Sequence, residues 1–176
     1  YYLLSQIFVI IAFYYVFKFA LEIFRDLKLS LISVLLLVSI YFYNFTTPEF
    51  NVNVCQLPFW ALTVYFCWKG LKQNDITSWL FFGLFAALGI LSKYIFIYLL
   101  FALASFFIFL IIKRELNFKF LVSLISFFII LSPHLIWLVE HNYTTINYAI
   151  FRSFDDPLTA LGGPIFLDHI FYPLIF

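Results

Sequence analysis

The sequence predicts an all-α protein, a multi-pass transmembrane helical bundle with about six spans. Hydrophobic residues make up 65% of the 176 residues and charged residues only 11%, with a mean hydropathy of +1.06. Soluble domains are about 45–50% apolar and about 25% charged, so this composition excludes an ordinary soluble domain. Polar turns separate six apolar runs, and most of these runs approach the length of a membrane-crossing helix. The runs cover residues 1–17, 29–45, 57–68, 76–91, 95–112 and 120–139.

The first two runs contain no charged residue, and each is about as long as a short transmembrane helix of about 17 residues. Between them, four charged residues recur at helical spacing, which predicts that the first helix continues beyond the membrane with a charged turn whose role is a solvated face. They are Lys18, Glu22, Arg25 and Asp26. Pro48 is expected to end any helix that enters from the second run. The third run is the shortest, and it crosses a membrane only if its helix begins nearer Val52. We expect Pro58 in the first turn of that helix.

Small residues distinguish the fourth run, which Lys93 separates from the fifth. Gly83 and Ala87 lie four residues apart with Gly89 close by, which predicts close backbone packing against a neighbouring helix. The sixth run contains Pro133 near its end and precedes turn-forming residues at 155–164. After that turn, an apolar stretch begins either an interfacial helix or a further span. The chain has no Met and starts in an apolar run, so we expect residues 1–176 to be part of one membrane-embedded domain, truncated at both ends.

Positive residues are divided unevenly between alternate connections, eight on one side and two on the other. Cytoplasmic loops are enriched in Lys and Arg, so the side with eight is predicted to be cytoplasmic and the other side external. The eight are Lys18, Arg25, Lys28, Lys69, Lys72, Lys113, Arg114 and Lys119, and the two are Lys93 and Arg152.

The polar segment 46–56, which this count places outside, carries Glu49, Asn51 and Asn53. A carboxylate beside two amides can take part in acid–base chemistry and can hydrogen-bond a polar substrate. Lys93 is predicted at the same face, where its ammonium can pair with a lipid-linked phosphate. The alternative is that Lys93 extends to the lipid headgroups as an anchor.

A second candidate segment follows Pro133. If it is helical, His134, Trp137 and His141 share one face, because offsets of three, four and seven residues return to nearly the same direction. Together with Glu140 and Arg152, this face is a candidate for binding a sugar or a phosphate. The alternative is an interfacial aromatic belt. We expect this segment to approach the polar segment 46–56 at the outer face.

Several classes of function lack support in the sequence. It contains no His-Glu-x-x-His pattern, no Gly-rich phosphate loop and no Gly-x-Ser-x-Gly elbow. Its positive charges form no stripe, so nucleic acid is not an expected partner. No residue pattern indicates a cofactor or supports a divalent metal. A transporter or flippase of a lipid-linked substrate remains the alternative to an enzyme, although the clean apolar spans disfavour it.

Several short motifs together resemble bacterial protein-mannosyltransferase-like glycosyltransferases, which are multi-pass enzymes of the C-type glycosyltransferase fold. The resemblance implies transfer of a sugar from a polyprenyl-phosphate donor to a lipid, glycan or protein acceptor. It also implies a bacterial inner membrane, contact with its lipids, and a site facing the periplasm. The motifs are Thr47-Pro48-Glu49-Phe50-Asn51-Val52-Asn53, Leu57-Pro58-Phe59-Trp60-Ala61-Leu62, residues 79–83, Leu91-Ser92-Lys93-Tyr94 and Pro133-His134-Leu135-Ile136-Trp137.

The resemblance also suggests roles for individual residues. In that family the catalytic acid lies in the first outer loop, and the present chain is expected to begin beyond that loop. Glu49 lies in a later outer loop, slightly displaced from the family pattern, and is the candidate catalytic residue within this chain. The resemblance supports Lys93, with its neighbour Tyr94, as a contact for the donor phosphate.

Overall fold

The computed structural model describes residues 2–41, 43 and 47–147 of the chain. Within these residues there is no strand, and the predicted all-α class is confirmed. The α-helices are α1 (Tyr2–Phe24), α2 (Leu27–Val38), α3 (Val52–Gln73), α4 (Ile76–Ser92), α5 (Ile97–Ile112) and α6 (Leu121–Glu140), with 3-10 turns η1 (Tyr94–Phe96) and η2 (Phe118–Phe120) before the last two.

Each of the six apolar runs lies largely on one of these helices. By length and composition, α1, η1 with α5, and η2 with α6 are long and apolar enough to cross a membrane. The helices α2 and α4 are shorter and apolar, whereas α3 is long but carries more polar side chains. The description as a membrane helical bundle therefore holds, and the crossing of a membrane by α2, α3 and α4 stays a prediction.

The turn between α1 and α2 has the predicted charged character. The first helix continues past its apolar run to Phe24, and Arg25 then adopts a left-handed backbone with φ 52°. Asp26 begins the next helix because its carboxylate accepts the backbone N–H groups of Lys28 and Leu29, at 2.7 and 3.0 Å. The first helix thus continues beyond its apolar run, as the spacing predicted, and a charged turn with a capping carboxylate follows it.

The start of α3 corrects the expectation for Pro58. The side chain of Asn51 accepts the backbone N–H groups of Asn53 and Val54, so the helix begins at Val52. Pro58 therefore lies inside α3 and is buried, not in the first turn. The side chain of Asn51 sets the helix start six residues before Pro58, so the proline falls in the interior, where it has no N–H to donate to the Val54 carbonyl.

The core is formed where α3 packs against α1 on one side and α4 on the other. Val9 and Ala12 of α1 are buried against Val54 and Leu57 of α3 in one cluster. A second cluster, nearer the other end of α3, joins three buried residues of α3 and α4. These are Cys67, Trp79 and Phe82.

The small residues of α4 allow close helix packing, as predicted. A Cβ atom at Gly83 would overlap the backbone carbonyl of Ser123, and the Ser126 hydroxyl donates to the Leu80 carbonyl at 3.1 Å. Gly89 faces the ring of Phe96 at a distance that leaves no room for a Cβ atom. These approaches bring the backbone of α4 against α6 and η1.

We expect Gly83→Leu to lower the melting temperature of the purified protein in detergent, because the added side chain has no space beside Ser123. Overpacking of this kind costs about 1–3 kcal/mol, which corresponds to a decrease of roughly 2–12 °C. Ala102→Leu is the matched control, because Ala102 is exposed on α5. Equal melting temperatures for both variants would contradict the close α4–α6 packing.

The residue that caps the N-terminus of α4, Asp75, has a lowered pKa. Burial opposes ionisation of Asp75, but hydrogen bonds from the Thr77 hydroxyl and from the Ser78 N–H outweigh it and lower the pKa of Asp75 to about 2. A carboxyl with a lowered pKa stabilises the folded protein above its unfolded pKa and loses this effect as the pH falls through its folded pKa.

We therefore expect Asp75→Asn, which keeps a capping oxygen but cannot titrate, to be less stable than the unmodified protein at pH 6. The difference should shrink as the pH falls from about 4 to about 2, because both proteins are then neutral at this position. Thermal unfolding across this range measures the difference. A stability difference that is constant with pH would contradict the assignment of the lowered pKa to Asp75.

The chain divides into two compact units, residues 1–132 and 133–176. The contacts described so far lie in the first unit. In the second unit, the described residues continue α6 through Pro133 to Glu140, turn at residues 141–143 and are helical again at residues 144–147. The assignment of all 176 residues to one domain stays a prediction.

Candidate functional site

The loop that carries Glu49 is fixed to α1 on both sides of this residue. The hydroxyl of buried Ser5 donates to the Thr47 carbonyl, and the Thr47 hydroxyl donates to the Tyr43 carbonyl at 3.0 Å. On the other side, the Phe50 ring meets the Phe8 ring edge to face, with centroids 5.1 Å apart. Glu49 itself is exposed, so the anchored loop presents its carboxylate at the surface.

Two asparagines follow Glu49 and have different roles in the structure. The Asn51 side chain caps α3 as described above, which gives this predicted site residue a structural function. Asn53 is half-buried in the first turn of α3, and its side-chain oxygen accepts a hydrogen bond from the Lys93 ammonium at 2.6 Å. Asn53 and Lys93 are 40 residues apart in sequence, and both were candidates from the sequence alone.

Lys93 lies where α4 ends. Its backbone is extended, with φ −163° and ψ 132°, and the chain re-enters helical geometry at Tyr94, which is half-buried at the start of η1. The bend is stabilised by Phe96, which is fully buried between Gly89 of α4 and the Trp60 ring of α3, at 5.1 Å from the latter. The ammonium of Lys93 is therefore directed by a packed bend.

Sequence reasoning did not identify Gln56 and Trp60 as part of this site. The Trp60 indole N–H donates to the Gln56 side-chain oxygen at 3.2 Å. Asn53, Gln56 and Trp60 share one face of α3, because their offsets are three and four residues. That spacing could be seen in the sequence. The bend at residues 93–96, which packs against this part of α3, became apparent only in the structure.

These residues can bind an anion. Lys93 supplies a positive charge, and among the described residues its ammonium contacts the neutral amide of Asn53 and forms no ion pair with an acid. Ammonium and amide N–H groups are hydrogen-bond donors that suit phosphate oxygens. Glu49 lies four residues before Asn53 and supplies the carboxylate nearest to this site in the sequence.

At the ends of the first-unit helices away from Lys93, charged side chains form contacts between the loops. Lys72 lies 3.6 Å from the carboxylate of Glu22, which also accepts the Tyr65 hydroxyl at 3.2 Å. The Lys119 ammonium donates to the Asn74 carbonyl at 2.8 Å. The contacts therefore join three loops that belong to the side with eight positive residues. Since these loops alternate along the helices with the Glu49 loop and the Lys93 bend, the site lies at the other end.

In the second unit, the predicted common face of His134, Trp137 and His141 is present. Both imidazole rings stack on the indole, with ring centroids 5.9 and 4.5 Å away and interplanar angles of 12° and 21°. Glu140 is exposed at the end of α6, and Arg152 lies outside the described residues. The role of this face in binding, and its approach to the loop of Glu49, stay predictions.

The family model for dolichyl-phosphate-mannose-protein mannosyltransferases matches residues 1–137, which is more than half of the chain. The match includes Glu49, Asn53 and Lys93, whereas Glu140 and His141 follow it. Neither the curated proteins nor the solved structures contain a match to this chain.

Proposed function

The chain belongs to this mannosyltransferase family, and we propose that Lys93 and Asn53 bind the phosphate of its sugar donor at the outer membrane face. The family and the apolar helices identify an integral membrane glycosyltransferase that uses a polyprenyl-phosphate sugar. A protein acceptor is the one that the family description implies. Lipid and glycan acceptors remain proposals, as does a bacterial inner membrane with the site facing the periplasm.

The observation that carries the proposal is the hydrogen bond between Lys93 and Asn53. Lys72, at the opposite end, is paired with a carboxylate that neutralises it, whereas Lys93 is held by a neutral amide. An ammonium without an acidic partner attracts a phosphate more strongly than one already paired with a carboxylate. This contrast favours phosphate binding over a lipid anchor as the role of Lys93.

In the proposed reaction, an acceptor hydroxyl attacks the anomeric carbon of the sugar and the bond from that carbon to the phosphate oxygen breaks. The polyprenyl phosphate leaves with the bonding electron pair, and Lys93 stabilises the charge that develops on it. The acceptor proton must pass to a base. Glu49 is our candidate within this chain for accepting that proton or orienting the hydroxyl, because its anchored loop holds an exposed carboxylate.

The orientation can be tested by cysteine labelling in a variant without Cys55 and Cys67. We expect cysteines at Pro48 and Gln73, both exposed, to react with a membrane-impermeant reagent from opposite sides. The cysteine at position 48 should react from outside, because the eight-to-two distribution of positive residues places that loop there. Labelling of both positions from the same side of the membrane would refute the topology.

We expect Lys93→Ala to weaken use of the polyprenyl-phosphate sugar by roughly 10- to 150-fold, since a hydrogen bond to a charged group contributes about 1.5–3 kcal/mol. Lys93→Arg should retain part of the activity, because the charge remains while the geometry changes. Sugar transfer by the full-length protein in detergent measures both variants.

Lys69→Ala is the matched control, because Lys69 is also a half-buried lysine but belongs to the opposite end of the helices. It should leave donor use unchanged. Unaltered kinetics for Lys93→Ala, at an unaltered melting temperature, would reduce Lys93 to a lipid anchor.

A further inference from the structure

The orientation of the Gln56 amide follows from its partner. The Trp60 indole nitrogen can only donate a hydrogen bond, so the group 3.2 Å away must be the carbonyl oxygen of the Gln56 side chain. The amide N–H2 group therefore points away from Trp60. Among the described residues, no acceptor is hydrogen-bonded to this N–H2 group, and Gln56 is partly exposed.

The orientation of the Asn53 amide, one turn earlier on α3, follows from the same argument. The Lys93 ammonium can only donate, so the Asn53 carbonyl oxygen faces it at 2.6 Å and the Asn53 N–H2 group points elsewhere. Both amides thus have their acceptor oxygen occupied by a fixed donor. In the part of the chain that the structure describes, neither N–H2 group donates to an acceptor, so both are available to a further partner.

Gln56 lies between two contacts of α3 with the bend. Asn53 binds Lys93 at the start of the bend, and Trp60 packs on Phe96 at its end. Because Gln56 shares the helix face of these two α3 residues, it faces the same bend. Two amide N–H2 groups and one ammonium therefore lie along a single face.

We propose that Gln56 is a further binding residue for the donor phosphate, presenting its N–H2 group to the same oxygens that Lys93 binds. The inference rests on the proposed function. A phosphate offers only acceptor oxygens, which is what a cluster of donors requires. Trp60 is the positioning residue, because its N–H determines which end of the Gln56 amide faces the ligand.

The experiment measures binding instead of turnover. A short-chain polyprenyl phosphate and the corresponding polyprenol, which lacks the phosphate, are titrated by calorimetry into the full chain in detergent. We expect Gln56→Ala to weaken binding of the phosphate by on the order of 10-fold and to leave binding of the polyprenol unchanged. Gln56→Glu should weaken it further, since the carboxylate can still accept from Trp60 but repels the phosphate.

Two further variants separate the role from a packing effect. Trp60→Phe keeps a ring against Phe96 but removes the N–H, so it should weaken phosphate binding by about 2- to 10-fold. Gln73→Ala removes a glutamine from the other end of the same helix and should have no effect. Melting temperatures of all variants are compared with that of the unmodified protein.

Four outcomes contradict the inference. Unchanged phosphate binding by Gln56→Ala excludes the contact, and an equal loss for phosphate and polyprenol shows a packing effect. A polyprenyl-phosphate sugar is titrated in the same way, and a loss seen only with this ligand assigns Gln56 to the sugar instead. If the unmodified protein itself fails to prefer the phosphate over the polyprenol, the proposed function falls together with the inference.

Discussion

The packing of α1 and α4 on either side of α3 is the interaction on which the rest of the described structure depends. This helix carries several polar side chains, and such groups are costly in contact with lipid unless protein surrounds them. Burial of Val54 and Leu57 against α1, and of Cys67 against α4, provides that environment. Both ends of α3 then acquire defined polar contacts, through Asn53 at its start and through Tyr65 and Lys72 near its end.

The candidate site is created by a bend that a glycine makes possible. Because Gly89 has no Cβ, the ring of Phe96 can pack directly against α4, and the chain turns sharply after the helix ends. The bend aims the Lys93 ammonium at Asn53 of α3. The position of the ammonium is therefore set by apolar packing several residues away, so the charge does not have to be held by an acid that would neutralise it.

The two ends of the first-unit helices show how the same residue type acquires different roles. Lys72 has a carboxylate partner in Glu22 and lies close to the Trp68 ring, which suits a structural anchor. Lys93 has the amide of Asn53 as its described partner, which suits anion binding. An exposed ion pair contributes little to stability, whereas an ammonium that contacts a neutral amide is available to an anionic ligand. The two lysines therefore differ in role because one contacts a carboxylate and the other an amide.

The sequence by itself determined the fold class, the approximate positions of six helices and the candidacy of Glu49, Asn53 and Lys93, because hydropathy and isolated polar residues are local properties. It misplaced Pro58, since the capping side chain of Asn51 begins α3 earlier than the proline indicated. Only the tertiary structure decided that Asn53 receives Lys93 and that Trp60 packs on Phe96. These contacts join residues about forty positions apart, and they depend on how Phe96 packs between two helices, which no local pattern encodes.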